Sequence, residues 1–180
     1  IRINTIKTTM QKTKKSLLKS YKLTKIPWCK QGFWIETERR DIGNILEHQL
    51  GYIYIQEAAS MLPPKILNPK TTDLVLDAAA SPGSKTTQLA SIMKNKSLII
   101  ANDVNYQRMM ALSHNLQRSG VLNTITTIMD ASRINYKFDK ILLDSPCSGT
   151  GTIHGLTKNS FYTCKVYSQQ RVKTLSGIQK

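Results

Sequence analysis

The chain has 180 residues, 40% of them hydrophobic, with 26 Lys and Arg against 11 Asp and Glu and a formal charge of +15; this length suits one domain, or a small domain joined to part of a larger one. Its three cysteines, Cys29, Cys147 and Cys164, are odd in number and lack metal-type spacing, which argues against a disulfide framework or a zinc site and for a reducing compartment. No apolar run approaches the roughly 18–20 residues that cross a bilayer, and no signal-peptide core opens the chain, so a soluble protein with no membrane and no metal partner is expected.

Charge is unevenly spread along the chain. Residues 1–35 hold nine basic side chains and no acidic one, residues 36–144 hold all 11 acids against 12 bases, and nothing beyond Asp144 is acidic. A polyanion would therefore meet the two ends.

In chain order, Thr8 to Lys22 places Met10, Leu17, Leu18 and Tyr21 among lysines and reads as a basic surface helix. Ile26-Pro-Trp-Cys and Gly32-Phe-Trp-Ile read as a turn and a short strand of a small N-terminal α+β module that ends near Gly51. A short helix from Ala58 to Leu62 would be ended or bent by Pro63-Pro64 before the linker Asn68-Pro-Lys-Thr-Thr. The pattern then becomes regular: strand Leu74–Asp77, helix Lys85–Met93, strand Ser97–Ala101, helix Asn105–Ser119 closed by Gly120, and strands Thr124–Ile128 and Lys140–Leu143. Strands alternating with helices imply a parallel, doubly wound α/β sheet.

Ligands of such sheets lie beyond the carboxyl ends of the strands, where Asp77, Asp103, Asp130 and Asp144 fall. After Asp77 the small residues Ala78, Ala79, Ala80, Ser81, Gly83 and Ser84 let a ligand approach the backbone, Pro82 fixes a turn and Lys85 opens a helix. Asp103, 26 positions beyond Asp77, has a spacing similar to that at which a carboxylate grips ribose hydroxyls. Both Asp103 and Asp130 also read as helix caps or solvated loop acids. The loop lacks G-x-G-x-x-G and has Ser where a P-loop needs Gly before Lys, which disfavours NAD and ATP.

Cys147 follows Asp144-Ser-Pro at the end of the fourth strand among the small or polar residues Ser145, Ser148, Gly149, Thr150 and Gly151, so Pro146 would present its thiol beside the cofactor cleft. Methylation of cytosine carbon 5 needs such a thiol, because that carbon is unreactive until a thiolate adds to carbon 6 and makes the ring enamine-like. A carboxylate near ring N3, as Asp144 would be, stabilises the charge, and a base must later remove the carbon-5 proton.

At these residues the chain resembles the NOL/NOP/Sun family of S-adenosylmethionine-dependent RNA cytosine-C5 methyltransferases. The family's Asp-x-Cys-Ala-Ala-Pro-Gly-(Gly/Ser)-Lys-Thr is similar to Asp77–Thr86, with Ala79 for the usual Cys and Ser81 for the second Ala, and Tyr54-Ile-Gln56-Glu-Ala-Ala-Ser60 is similar to its Tyr-x-Gln-x-x-Ser-Ser segment. Ala101-Asn-Asp103, Arg108 and Gly120–Ile125 look most like the nucleolar, large-ribosomal-subunit branch, and Arg2-Ile-Asn-Thr-Ile-Lys7 resembles the start of the family's RNA-facing N-terminal module.

The resemblance implies a Rossmann-like methyltransferase sheet with its first four strands present, preceded by a basic RNA-facing module over residues 1–51 and occupying residues 52–180. It implies S-adenosyl-L-methionine as cofactor, with Ala79, Ala80, Ser81, Pro82, Gly83, Ser84 and Lys85 around the methionine part, Asp103 on the ribose, Asp130 on the adenine amine, and Arg108 and Asp144 completing the site. Asp144 would also contact the cytosine ring. The implied partner is RNA, ribosomal RNA first and tRNA second, with pre-ribosomal proteins as further partners. The place of action would be the nucleolus in a eukaryote and the cytoplasm in an archaeon or bacterium.

In this family the attacking cysteine belongs to a Thr-Cys pair after the next strand, while the Pro-Cys cysteine, here Cys147, assists product release. Thr163-Cys164 lies only 17 residues past Cys147 with no apolar strand before it, so the attacking cysteine is expected to be absent and the domain incomplete at its C-terminus. A fragment, a split partner, or a noncatalytic ribosome-assembly factor that keeps the fold would each account for this. A DNA cytosine methyltransferase, in which the Pro-Cys thiol itself attacks, fits the Asp77 loop and the N-terminal module less well.

Overall fold

The computed structural model describes residues 1–37, 42–147 and 168–179. By its internal contacts the chain forms two compact units, Ile1–Leu143 and Asp144–Lys180. The described elements of the first unit are strands β1 (Arg2–Ile3), β2 (Lys22–Lys25), β3 (Phe33–Glu36), β4 (Ile53–Tyr54), β5 (Val75–Asp77), β6 (Ile99–Asp103), β7 (Thr124–Ile128) and β8 (Lys140–Leu142). Its helices are α1 (Met10–Leu17), α2 (Leu46–Gln49), α3 (Leu62–Leu67), α4 (Ser84–Ile92) and α5 (Tyr106–Ser119), and the second unit contains α6 (Gln169–Gln179).

The α/β fold expected from the alternating pattern is present. Four parallel strands lie in the order β7-β6-β5-β8, in register Val75↔Ile99, Ile99↔Thr124 and Val75↔Lys140. The steps from β5 to β6 to β7 run one way, so α4 and α5 lie on one face. Ile99 accordingly packs with Leu89, Ala90 and Met93 of α4, while Ala101, two residues on, packs with Met109, Leu112 and Leu116 of α5. The step to β8 reverses direction across β5, which makes the carboxyl end of β5 the switch point where such sheets bind ligands. Val75, Leu76 and Asp77 are all buried, as a strand covered on both faces must be.

Capping follows the sequence closely for α5: Asn105 accepts from the Gln107 and Arg108 amides, and Gly120 closes the helix in the left-handed conformation at φ 70°. Three elements depart from expectation. The strand expected at Ser97–Ala101 runs Ile99–Asp103, because Ser97 turns at φ 58° before it and pairing with Thr124–Ile128 carries it on to Asp103. The N-terminal helix stops at Leu17 rather than Lys22, because Lys22–Lys25 pairs antiparallel with Phe33–Glu36 as a hairpin; cross-strand pairing there outweighs the weak helical period of a lysine-rich segment. Pro63 and Pro64 open α3 instead of ending a helix. The first-turn amides of a helix have no intrahelical acceptor, so proline costs nothing there, and Asn68 at φ 43° supplies the stop.

The segment before β5 has its own core of Ile1, Ile3, Leu17, Phe33, Ile45 and Ile53. It is also stitched to the sheet by polar contacts. Buried Asn4 donates to the carbonyls of Gly51 and Ser119 at 2.9 and 2.7 Å. Gly51 sits at φ +72°, and a Cβ there would collide with the Arg118 carbonyl.

Candidate functional site

The loop after β5 is built on hydrogen bonds that its own small residues permit. Asp77 is fully buried and accepts from the Thr86 hydroxyl at 2.7 Å, tying the end of the strand to the first turn of α4. The Ala78 amide reaches Leu142 at 2.9 Å, Ala80 reaches Asn102 at 2.7 Å, and Gly83 folds back on Ala80 at 2.7 Å. Gly83 has φ +101°, a conformation that favours glycine, and a Cβ there would press Leu112 at 3.0 Å. The loop can therefore turn tightly into α4, with Ala78, Ala80, Ser81 and Gly83 buried and Pro82 exposed.

Asp103 ends β6 one strand away and is almost wholly buried. Its Oδ2 accepts from the Ser81 amide at 3.2 Å and faces Arg108 at 3.5 Å, while its Oδ1 accepts from the Asn105 amide at 3.1 Å. Arg108 also donates to the Ser81 carbonyl at 2.8 Å, and the Ser81 hydroxyl donates to the Arg108 carbonyl at 2.7 Å. Pro82 is clasped through its carbonyl by the Tyr54 hydroxyl at 3.2 Å and the Asn115 amide at 2.9 Å. Thus Ser81, Pro82, Asp103 and Arg108 come together around one turn. Ala79, Ala80, Ser84 and Lys85 occupy the same loop and the first turn of α4.

Asp130 stands two residues beyond β7, exposed, and caps the turn Ala131–Arg133 by accepting from the Ser132 amide at 3.0 Å and hydroxyl at 2.8 Å. Those two bonds, the amide first, hold its carboxyl below the usual range. Asp144 and Cys147 belong to the second unit and are exposed. Cys164, with Ser148, Gly149, Thr150 and Gly151, lies outside the described residues.

Two side chains that the resemblance already quotes, Asn102 and Arg2, act as supports through contacts that no spacing in the sequence predicts. Asn102 donates to the carbonyls of Ala78 and Met129 at 3.1 and 2.9 Å and accepts from Thr127 and the Met129 amide. One side chain thereby holds the loops that follow β5 and β7. Arg2, also buried, donates to Gln56 at 2.8 Å, Thr87 at 2.7 Å and the Ser84 carbonyl at 3.3 Å, with the Tyr54 ring 5.7 Å away. Burial lowers its pKa to about 10, and among the described residues no carboxylate pairs with it. Gln56 passes the contact on to Gln88 at 3.1 Å. Only the approach of α4 to the N-terminal strands reveals this chain of contacts, which spans residues 2 to 88.

A parallel sheet with a small-residue turn after its central strand and a buried acid at the end of the next defines a Rossmann-like domain for a nucleoside-containing cofactor. Residues 64–164 match the family model described as 16S rRNA methyltransferase RsmB/F, and residues 1–58 match the N-terminal domain of 16S rRNA methyltransferase RsmF. The chain belongs to this RsmB/F family of RNA cytosine-C5 methyltransferases.

Among its relatives, the tRNA (cytosine(49)-C(5))-methyltransferase of Pyrococcus abyssi is 42% identical over all of this chain and 58% of its own length. The ribosomal RNA small subunit methyltransferase F of Psychromonas ingrahamii is 43% identical over all of this chain and 39% of its own. A solved methyltransferase homologue from Pyrococcus horikoshii is 43% identical with a TM-score of 0.77, covering 91% of this chain and 55% of that one. NSun6 from the same organism, solved with SFG, is 35% identical with a TM-score of 0.59, covering 67% of this chain and 33% of that one. The chain spans from about two fifths to under three fifths of the length of the two curated relatives.

The cofactor of this family is S-adenosyl-L-methionine, and the donor set at Asp103 fits it. A carboxylate has about four lone-pair positions; Ser81, Asn105 and Arg108 engage three of them. One oxygen position remains for a ribose hydroxyl, on a side chain already oriented by the backbone.

Proposed function

We propose that this chain is the cofactor-holding part of an S-adenosylmethionine-dependent enzyme that methylates carbon 5 of cytosine in RNA. The observation that carries the reading is the buried Asp103 carboxylate locked to the Ser81 amide, which joins the carboxyl end of β6 to the small-residue loop after β5. The cofactor supplies an electrophilic methyl group. In this reading the backbone from Ala79 to Lys85 encloses its methionine part, Asp103 accepts from a ribose hydroxyl and positions Arg108, and Asp130 receives the adenine amine. Asp144 contacts the cytosine ring and Cys147 assists release of the product. The attacking thiol is supplied from outside the described residues.

Residues 1–51 are proposed as the RNA-facing module; their basic surface and the N-terminal family match support this. Ribosomal RNA is the first substrate reading, because both family models are described by 16S rRNA methyltransferases. A tRNA is the second, because the Pyrococcus abyssi relative is named for one. The resemblance of residues 101–103, 108 and 120–125 to the large-subunit branch makes a large-subunit cytosine a finer candidate, to which the named relatives lend no support. Bacterial and archaeal relatives favour action in the cytoplasm over the nucleolus. Calorimetric titration of the chain with S-adenosylmethionine tests the cofactor reading: saturable one-to-one binding supports it, and no heat at any concentration up to the millimolar range refutes it.

A further inference from the structure

A cavity of the first unit, about 670 Å³, is lined in part by the second half of α4, toward the end of that helix opposite the cofactor loop. Its walls come from the N-terminal strands, the end of α3 and the last turn of α4, and its charged lining side chains are Arg2, Lys30, Lys65 and Lys94, with no acid among them. Hydroxyl and amide groups of Thr5, Asn68, Ser91 and Asn95 fill the intervals, and no aromatic ring faces the space. Lys30, Lys65 and Lys94 are exposed, whereas Arg2 is buried and spends its hydrogen bonds on neutral groups. Its charge is therefore left uncompensated by any carboxylate among the described residues.

Lys94 sits in the left-handed region at φ 56°, which glycine adopts more readily than a residue with a β-carbon. Glycine would make the turn more cheaply, yet the position carries a long cation. Three point charges on flexible stems suit repeating phosphates, and the absence of a stacking ring leaves bases unread; the Thr5 and Ser91 hydroxyls bond each other at 2.7 Å and the Asn95 amide donates to the Gly120 carbonyl, so the lysines supply the contacts. Gln88, Ser91 and Ile92 of the second half of α4 line the cavity, whereas the cofactor loop meets the first turn of that helix, which is about 13 Å long.

We propose that this cavity is a sequence-independent site for the phosphates of the RNA strand flanking the target cytosine, a proposal that rests on the RNA reading above. Lys30, Lys65 and Lys94 hold the backbone while the cofactor end of α4 is left to the reacting nucleotide. Lys94 also complements the C-terminal dipole of α4, so the test removes three charges together and reads salt dependence rather than stability. The chain and its K30Q/K65Q/K94Q variant are titrated against a fluorescent single-stranded oligoribonucleotide at several salt concentrations. For a single strand, removing one lysine–phosphate pairing lowers the slope of log K against log salt by about 0.7, so the slope of the triple variant falls by about two.

A fall of one or more supports the site, and any smaller change overturns it while leaving RNA binding by the chain intact. If the unsubstituted chain binds no RNA with a measurable salt slope, both this site and the RNA reading fail. In the unsubstituted chain, RNA-dependent protection of Lys30, Lys65 and Lys94 from amine acylation gives a second readout that needs no variant. Protection of all three supports the proposal, and equal labelling with and without RNA overturns it. Shifts of the Ser91 and Lys94 amide resonances by inorganic tripolyphosphate, with an unchanged RNA slope in the variant, would mark a site for small anions and also overturn it.

Discussion

Replacing Asp103 with Ala should separate the cofactor function of the β6 terminus from its structural one. The carboxylate accepts from the buried Ser81 amide and from Asn105 and faces Arg108. Removing it strands the Ser81 N–H, which costs about 2 kcal/mol for a bond to a charged acceptor, and for a chain of this length lowers Tm by about 4–8 °C. Affinity for S-adenosylmethionine loses one further charge-assisted bond, also about 2 kcal/mol, or about 30-fold in Kd. Asp103→Asn keeps an oxygen acceptor without the charge and should lose about half as much free energy, or about five-fold in Kd. Scanning fluorimetry reads the first effect and calorimetry the second. A folded Asp103→Ala chain that binds the cofactor as tightly as the original would refute the assignment of this carboxylate.

Gly51→Ala should cost about 3 kcal/mol or more in a chemical-denaturation curve, since the residue combines φ +72° with a collision against the Arg118 carbonyl; a change below about 1 kcal/mol would contradict the packing. His48 is held below its usual range mainly by burial, and further by the Arg118 charge, against the opposing bond to the Gly43 carbonyl. Its folded value is thus lower than its unfolded one, so its neutral form contributes fully above about pH 6.5 and that contribution is lost as pH falls below it. His48→Gln should flatten the melting-temperature profile between about pH 7.5 and 5.5. Cys147→Ser, made in a polypeptide that contains this chain and methylates RNA, should accumulate a covalent protein–RNA adduct visible on a denaturing gel. Loss of the adduct would make Cys147 the attacking thiol.

The strand Leu74–Asp77 and the helix capped by Asn105 and Gly120 were legible because local signals and tertiary burial agree there: the apolar run ends in a polar residue, and the caps lie where the period stops; the largely exposed strand Thr124–Ile128 was legible from its β-branched residues alone. Lys22–Lys25 was not, since a strand of two lysines, Leu and Thr announces itself only through its partner Phe33–Glu36. Pro63-Pro64 carried an ambiguous signal, because proline both ends helices and begins them. The acids at the strand ends could be read from pattern. The side chains that brace them could not: Asn102, Arg2 and Gln88 act on groups 24 or more positions away, and no spacing rule connects such polar partners before the sheet has formed.

Nucleoside analysis after methyl transfer tests the central claim most directly. Small-subunit rRNA, large-subunit rRNA and tRNA lacking the modification are each incubated with S-adenosylmethionine and a polypeptide that contains this chain, then digested and analysed by mass spectrometry. The account predicts 5-methylcytidine in one of the three RNAs, dependent on Asp103 and accompanied by release of the carbon-5 hydrogen. Methyl transfer to another base or to a ribose, or none to any RNA by a polypeptide that binds the cofactor, would contradict it.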